Sequence, residues 1–169
     1  DMLKSMKASV AAGMNIKANI ICGFPGENKS HLLETLRFIT KTALVGCHDL
    51  SINQYSPYPG SELYEQLVRD KKIILDDSYF INLSFYSSMS NSVSYSDHIS
   101  RREILLYKFT GTLLFYAVSF ARRPWRLVRL IHNVVNGKET SRLEKTLLSY
   151  FYRLRLKLTA DLKGNSGLV

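Results

Sequence analysis

A chain of 169 residues, 46 % of them apolar and 11 % aromatic, is long enough for one ordinary hydrophobic core. Its formal charge of +9 is unevenly placed: residues 1–100 hold nine Lys and Arg against ten Asp and Glu, whereas residues 101–158 hold thirteen against three. Cys22 and Cys47 are too few and too far apart for a disulfide framework or a Cys-x-x-Cys motif, and the four scattered histidines form no pair with metal-ligand spacing.

Met2, Leu3, Met6 and Val10 recur at helical spacing before Gly13, a natural helix cap, so the first residues read as the tail of a helix and the chain as the C-terminal part of a longer protein. Residues 15–23 read as a strand with Ile20 and Ile21 facing inward and Cys22 a small core residue. The turn Phe24-Pro25-Gly26-Glu27 follows, Pro presetting φ and Gly accepting the positive φ of a type II turn. Asn28 or Ser30 can cap the next helix, whose apolar stripe is Leu32, Leu33, Leu36, Ile39 and Ala43, and Gly46 ends it. A strand over 49–55 puts Leu50 and Ile52 on one side and Ser51, Asn53 and Tyr55 on the other. A second turn of the same design, Tyr58-Pro59-Gly60-Ser61, precedes a short helix with Leu63, Tyr64 and Leu67 that stops near Lys71-Lys72. The repeat of strand, Pro-Gly turn and helix is how α/β barrels present a working rim at the carboxyl ends of parallel strands.

Residues 73–83 show no clear period. Residues 84–100 contain eight serines in seventeen positions and read as a connector, with a substrate-covering segment as the alternative. Three helices are punctuated beyond it: a capping box Ser100-Arg101-Arg102-Glu103 opens one to about Phe120, Pro124 opens another ended by Asn136-Gly137, and a box Ser141-Arg142-Leu143-Glu144 opens a third to about Leu158. The final Gly164-Asn165-Ser166-Gly167 reads as a frayed end. Ile104 to Ala121 carries only one charge, Lys108; that charge favours a packed helix over a membrane span. The later helices interleave Arg122, Arg123, Arg126, Arg129, Arg153 and Arg155 with Trp125, Tyr150, Phe151 and Tyr152. Such a composition suits a solvated face, an anionic membrane surface or a nucleic acid. The domain reading is 1–83, a connector over 84–100, and a basic helical extension over 101–169.

The two turns carry the only constellation above background. Gly23, Phe24, Pro25 and Gly26 leave amides and a flat side chain at a strand end, Glu27 sits at the mouth of a helix, where the dipole favours it, and Asn53, Gln54 and Tyr55 end the next strand. The run Ile20 to Glu27, the helix with Thr35-Leu36-Arg37-Phe38-Ile39, and Tyr55-Ser56-Pro57-Tyr58-Pro59-Gly60-Ser61-Glu62-Leu63-Tyr64 resemble the later half of the radical S-adenosylmethionine barrel. The similarity is to the branch that often carries a cobalamin-binding domain, the anaerobic magnesium-protoporphyrin ester cyclase type. It is good over residues 1–80 and looser to 158.

The resemblance implies an α/β fold, the last two strand-helix units of a partial (β/α)6 barrel followed by a helical extension. It implies that Gly23, Phe24, Pro25, Gly26 and Glu27, with Asn53, Gln54, Tyr55 and Ser56, line part of an S-adenosylmethionine pocket. In that family a [4Fe-4S] cluster on a Cys-x-x-x-Cys-x-x-Cys loop supplies the electron that cleaves the sulfonium, for methyl transfer, cyclisation or a related modification of a small molecule. This sequence has no such cysteine triplet and no cobalamin-ligand motif, so cluster and any cobalamin would be held by a missing N-terminal part of the same protein, with a degenerate relic as the alternative, and the chain alone is expected to be inactive. No catalytic or metal-ligating residue is assigned, and the expected location is cytoplasmic with peripheral membrane contact. The alternative is a non-catalytic module whose basic helices over 101–158 bind an anionic membrane or, less favoured, a nucleic acid.

Overall fold

The computed structural model describes residues 1–88 and 92–165, the side chains of 142 and 157–165 excepted. In chain order the elements are α1 (Met2–Ala11), β1 (Lys17–Cys22), α2 (Lys29–Val45), β2 (Asp49–Gln54), α3 (Glu62–Arg69), α4 (Asp77–Ser84), α5 (Arg101–Arg122), α6 (Pro124–Val135) and α7 (Arg142–Asn165). Two compact units divide at Ser119 and Phe120.

In the first unit, β1 and β2 pair in parallel from Lys17 opposite Asp49 to Cys22 opposite Gln54. The connection is α2, whose start is fixed by the Asn28 side chain accepting from Ser30 N and His31 N, and whose end is Gly46 in the left-handed region. Strand alternation sends Ala18, Ile20, Cys22, Leu50, Ile52 and Gln54 to one face. That face builds the core with Leu32, Ile39 and Ala43 of α2 and Ile104, Tyr107 and Phe115 of α5. Close approach of α5 depends on Gly111, where an added Cβ would lie 2.6 Å from Ile52 Cδ1 and 3.2 Å from Ile39 Cδ1.

Two inward assignments need correcting. Ile21 is exposed, because it shares the opposite face with Lys17 and Asn19. Leu33 is also exposed, being one position around the helix from the buried Leu32. On β1 the face bearing Lys17, Asn19 and Ile21 is exposed, while on β2 the same face has Ser51 buried and Asp49 and Asn53 half-buried; parallel sheets are usually covered on both sides.

Asp1 caps α1 through Leu3 N, and Gly13 at φ +80° follows its end. The stretch 73–83 contains part of α4, which periodicity missed: Asp76 caps it, accepting from Tyr79 N, and Tyr79 is its one buried residue, so no stripe exists to read. Tyr79 joins Tyr64, Leu67 and Ile73 in a second cluster against Tyr55, Leu83 and Tyr95, and its hydroxyl donates to Pro57 O at 2.7 Å.

The basic extension was expected to begin at 101. Residues 101–119 instead belong to the sheet's unit, because Ile104, Tyr107, Gly111 and Phe115 form a buried stripe that serves the same core. Among the described residues α5 is the helix long and apolar enough to cross a membrane by length and composition. Lys108 on it is wholly buried, its Nζ donating to Ser88 O and Ser92 Oγ.

In the second unit α6 and α7 pack together. Glu144, near the start of α7, accepts from Asn133 Nδ2 at 2.7 Å, Thr140 N at 2.6 Å and Ser141 N at 2.7 Å. Helix α7 runs past the expected Leu158 to Asn165, so of the expected frayed end Gly164 and Asn165 are helical, and Ser166 and Gly167 lie outside the described residues.

Candidate functional site

Both turns form at the carboxyl edge of the sheet. Glu27 N donates to Phe24 O at 3.1 Å with Gly26 at φ +77°, and Ser61 N donates to Tyr58 O at 3.2 Å with Gly60 at φ +87°. Positive φ at the third position is what a type II turn requires and what a β-branched residue resists. Gly23, at φ +87°, is doubly constrained, since an added Cβ would lie 2.8 Å from Ile104 Cδ1.

Because the strands are neighbours and parallel, the residues that follow them meet. The rings of Phe24 and Tyr55 lie 4.6 Å apart with planes 30° from parallel, and Tyr95 meets Tyr55 edge-on at 6.1 Å. Burial raises the Tyr95 phenol above its ordinary value, with Tyr79 and Tyr55 adding to the effect. Beside them Ser56 Oγ is shut off from solvent and has no hydrogen-bond partner among the described residues. A flat aromatic shelf can receive a planar heterocycle.

The nine residues expected at this site do different things. Phe24 and Tyr55 form the shelf, Pro25 and Gly26 shape its corner, and the Ser56 hydroxyl is enclosed away from solvent. The Glu27 carboxylate accepts from Gly23 N and from Phe24 N, the latter at 3.2 Å, so it closes its own turn, a task beyond the helix-dipole role expected of it. Asn53 lies on the face away from the core with its Oδ1 accepting from Ser51 Oγ. Gln54 is turned the other way: it is buried, its Oε1 accepting from Val93 N at 2.7 Å.

Sequence reading missed the part played by residues 92–100. Ser96 Oγ donates to Glu27 O at 2.5 Å, Val93 is held by Gln54, and Tyr95 completes the aromatic group, so this stretch straps the strand ends rather than merely connecting. The signal available was a tyrosine within a serine-rich loop. Residues 89–91 of that loop lie outside the described residues.

Cys22 sits behind the corner on the core side. Burial pushes its thiol up to about 12, with Glu27 adding to the rise and Lys108 opposing it. Among the described residues no three His, Cys, Asp or Glu side chains cluster as a metal site. No family model, curated protein or solved structure matches the chain.

Proposed function

We propose that this chain forms the later part of a radical S-adenosylmethionine barrel and contributes one wall of the S-adenosylmethionine pocket. The observation that carries the reading is the parallel pairing of β1 with β2, with both Pro-Gly turns on one edge and Phe24 4.6 Å from Tyr55. An antiparallel pair, or turns at opposite ends, would be incompatible with it.

At the shelf, Phe24 and Tyr55 offer the nucleoside two aromatic faces. The amides of Gly23 and Phe24 are taken by Glu27, so Glu27 acts on the pocket by fixing the corner. Gln54 is a positioning residue, since its side chain anchors the strap at Val93. The sheet face with Ile21 and Asn53 is where further barrel strands would enclose a small-molecule substrate.

The residues present do not fit the [4Fe-4S] cluster. Three thiolates are needed and the sequence has two cysteines, both buried and one with a strongly raised thiol. In this reading cluster and any cobalamin are held by residues outside these 169, and the complete enzyme works in the cytoplasm. The cluster would supply one-electron chemistry; this chain's part is to bind and orient.

The experiment is Gly26→Val in the complete protein. The Cβ meets open space, but positive φ is closed to valine, so the corner must move. Loss of S-adenosylmethionine affinity by about tenfold or more in equilibrium dialysis is expected, with a cooperative melting transition retained but lowered by a few degrees. Unchanged affinity in the folded variant would remove the pocket assignment.

A further inference from the structure

Helix α6 turns Leu130, Asn133 and Val134 inward and leaves a second apolar face exposed. Its buried residue is the polar Asn133, bonded to Glu144 and to Thr140 Oγ1 at 3.1 Å. Its outward side carries Trp125 at 62 %, Val128 at 68 %, Ile131 at 56 % and Val135 at 78 % exposure, with Leu127 beside them. The spacing of three and four makes these one continuous face. A helix of an ordinary globular protein turns such a stripe toward the core.

The sequence over 120–138 is basic. Residues 120–138 contain Arg122, Arg123, Arg126, Arg129 and Lys138 and no Asp or Glu. Twelve residues of α-helix span about 18 Å, too short to cross a bilayer core of about 30 Å. An apolar stripe with tryptophan at one end and arginines about it is suited to lying in the plane of a bilayer surface. There the apolar face enters the acyl boundary while guanidinium groups reach anionic headgroups. A nucleic acid would be met by apolar side chains where phosphates need cations, and a second copy would bring the same positive surroundings against the first.

We infer that α6 is an interfacial anchor that docks this chain on an anionic lipid surface through Trp125, Val128, Ile131 and Val135. The inference stands on α6 alone and is independent of the proposed pocket.

Trp125 is the only tryptophan in the sequence, so its emission reports on this face directly. The full chain is mixed with phosphatidylcholine vesicles with and without about 30 % phosphatidylserine, and with duplex DNA and single-stranded RNA as competitors. Expected are co-sedimentation with the anionic vesicles, a blue shift of Trp125, quenching by brominated acyl chains, and release at high salt. Val128→Asp with Ile131→Asp should abolish binding without lowering the melting temperature, since both residues are exposed. Arg122→Gln with Arg129→Gln should weaken it roughly thirtyfold while leaving the apolar face intact. Unmoved Trp125 emission on anionic vesicles overturns the inference, as does vesicle binding that survives the aspartate pair. Preferential binding to nucleic acid overturns it too, as would a dimer lost in the aspartate pair without vesicle binding.

Discussion

Two carboxylates in this chain look alike in sequence and serve different ends. Glu27 accepts from Gly23 N and Phe24 N, so its work is local to one corner. Glu144 is buried and joins α7 to Asn133 of α6. Burial alone would raise the Glu144 carboxyl, but hydrogen bonds from Asn133, Thr140 and Ser141 outweigh it and hold the group below its ordinary 4.5. A folded-state value below the unfolded one means a contribution complete above that ordinary value and lost as pH falls through the lowered one. Glu144→Gln should therefore unfold at a lower temperature than the wild type at neutral pH, with the gap closing as pH falls below the ordinary carboxyl value. Unfolding followed by Trp125 emission checks this, as the tryptophan lies in the same unit. A gap that stays constant with pH would show that the charge on Glu144 is not what matters.

At the scale of elements, α5 shows what sequence can and cannot disclose. Its start was legible, since Ser100 and Glu103 cap each other, with Ser100 N donating to Glu103 Oε2 at 2.8 Å and Glu103 N to Ser100 Oγ at 3.3 Å. Lys29 reaches the same carboxylate at 2.7 Å; its hydrogen bond first, then those from Ser100, bring the Glu103 carboxyl down to about 2. Which unit the helix joins was not legible, because the change in charge at 101 marks where basic residues begin and not where the core ends. Gly111 permits the packing, since a Cβ there would crowd Ile52 and Ile39. Gly111→Val should cost about 1–3 kcal/mol by overpacking, measured by urea unfolding followed by circular dichroism. For alanine the same crowding is opposed by a helix-propensity gain of about 1 kcal/mol, so its effect should be the smaller. Helix α4 marks the opposite limit: with Tyr79 its sole buried residue, it leaves no periodic trace, and only the Asp76 cap announces it.

At the scale of the molecule, the parts specified by local chemistry were legible and the parts specified by distant partners were not. Both Pro-Gly turns, the Asn28 and Gly46 ends of α2, and Pro124 at the start of α6 are each set within a few residues, and each stands where the spacing put it. Ile21 escaped because two adjacent isoleucines cannot both face one side of a strand, and only the register with Ser51 and Asn53 says which is outside. The direction of Gln54 follows from the same alternation that buries Leu50 and Ile52, yet its partner Val93 is 39 positions away. Tyr95 meets Tyr55 from a similar distance and Ser96 reaches Glu27 from 69 positions away, so nothing near Gly26 foretells them.

The register of the sheet also writes a timing code into the backbone of β1. Ile16 and Cys22 aim their carbonyls at β2, where His48 N and Tyr55 N donate to them, so the even-numbered residues of β1 look toward its neighbour and the odd-numbered ones look away. In deuterated water the amides of Ala18, Ile20 and Cys22 should exchange slowly, while those of Lys17, Asn19 and Ile21 exchange quickly. Any strand that docks on that margin would slow the odd amides and leave the even ones unchanged. Alternate-residue exchange rates, read by NMR, would thus count the neighbours of β1.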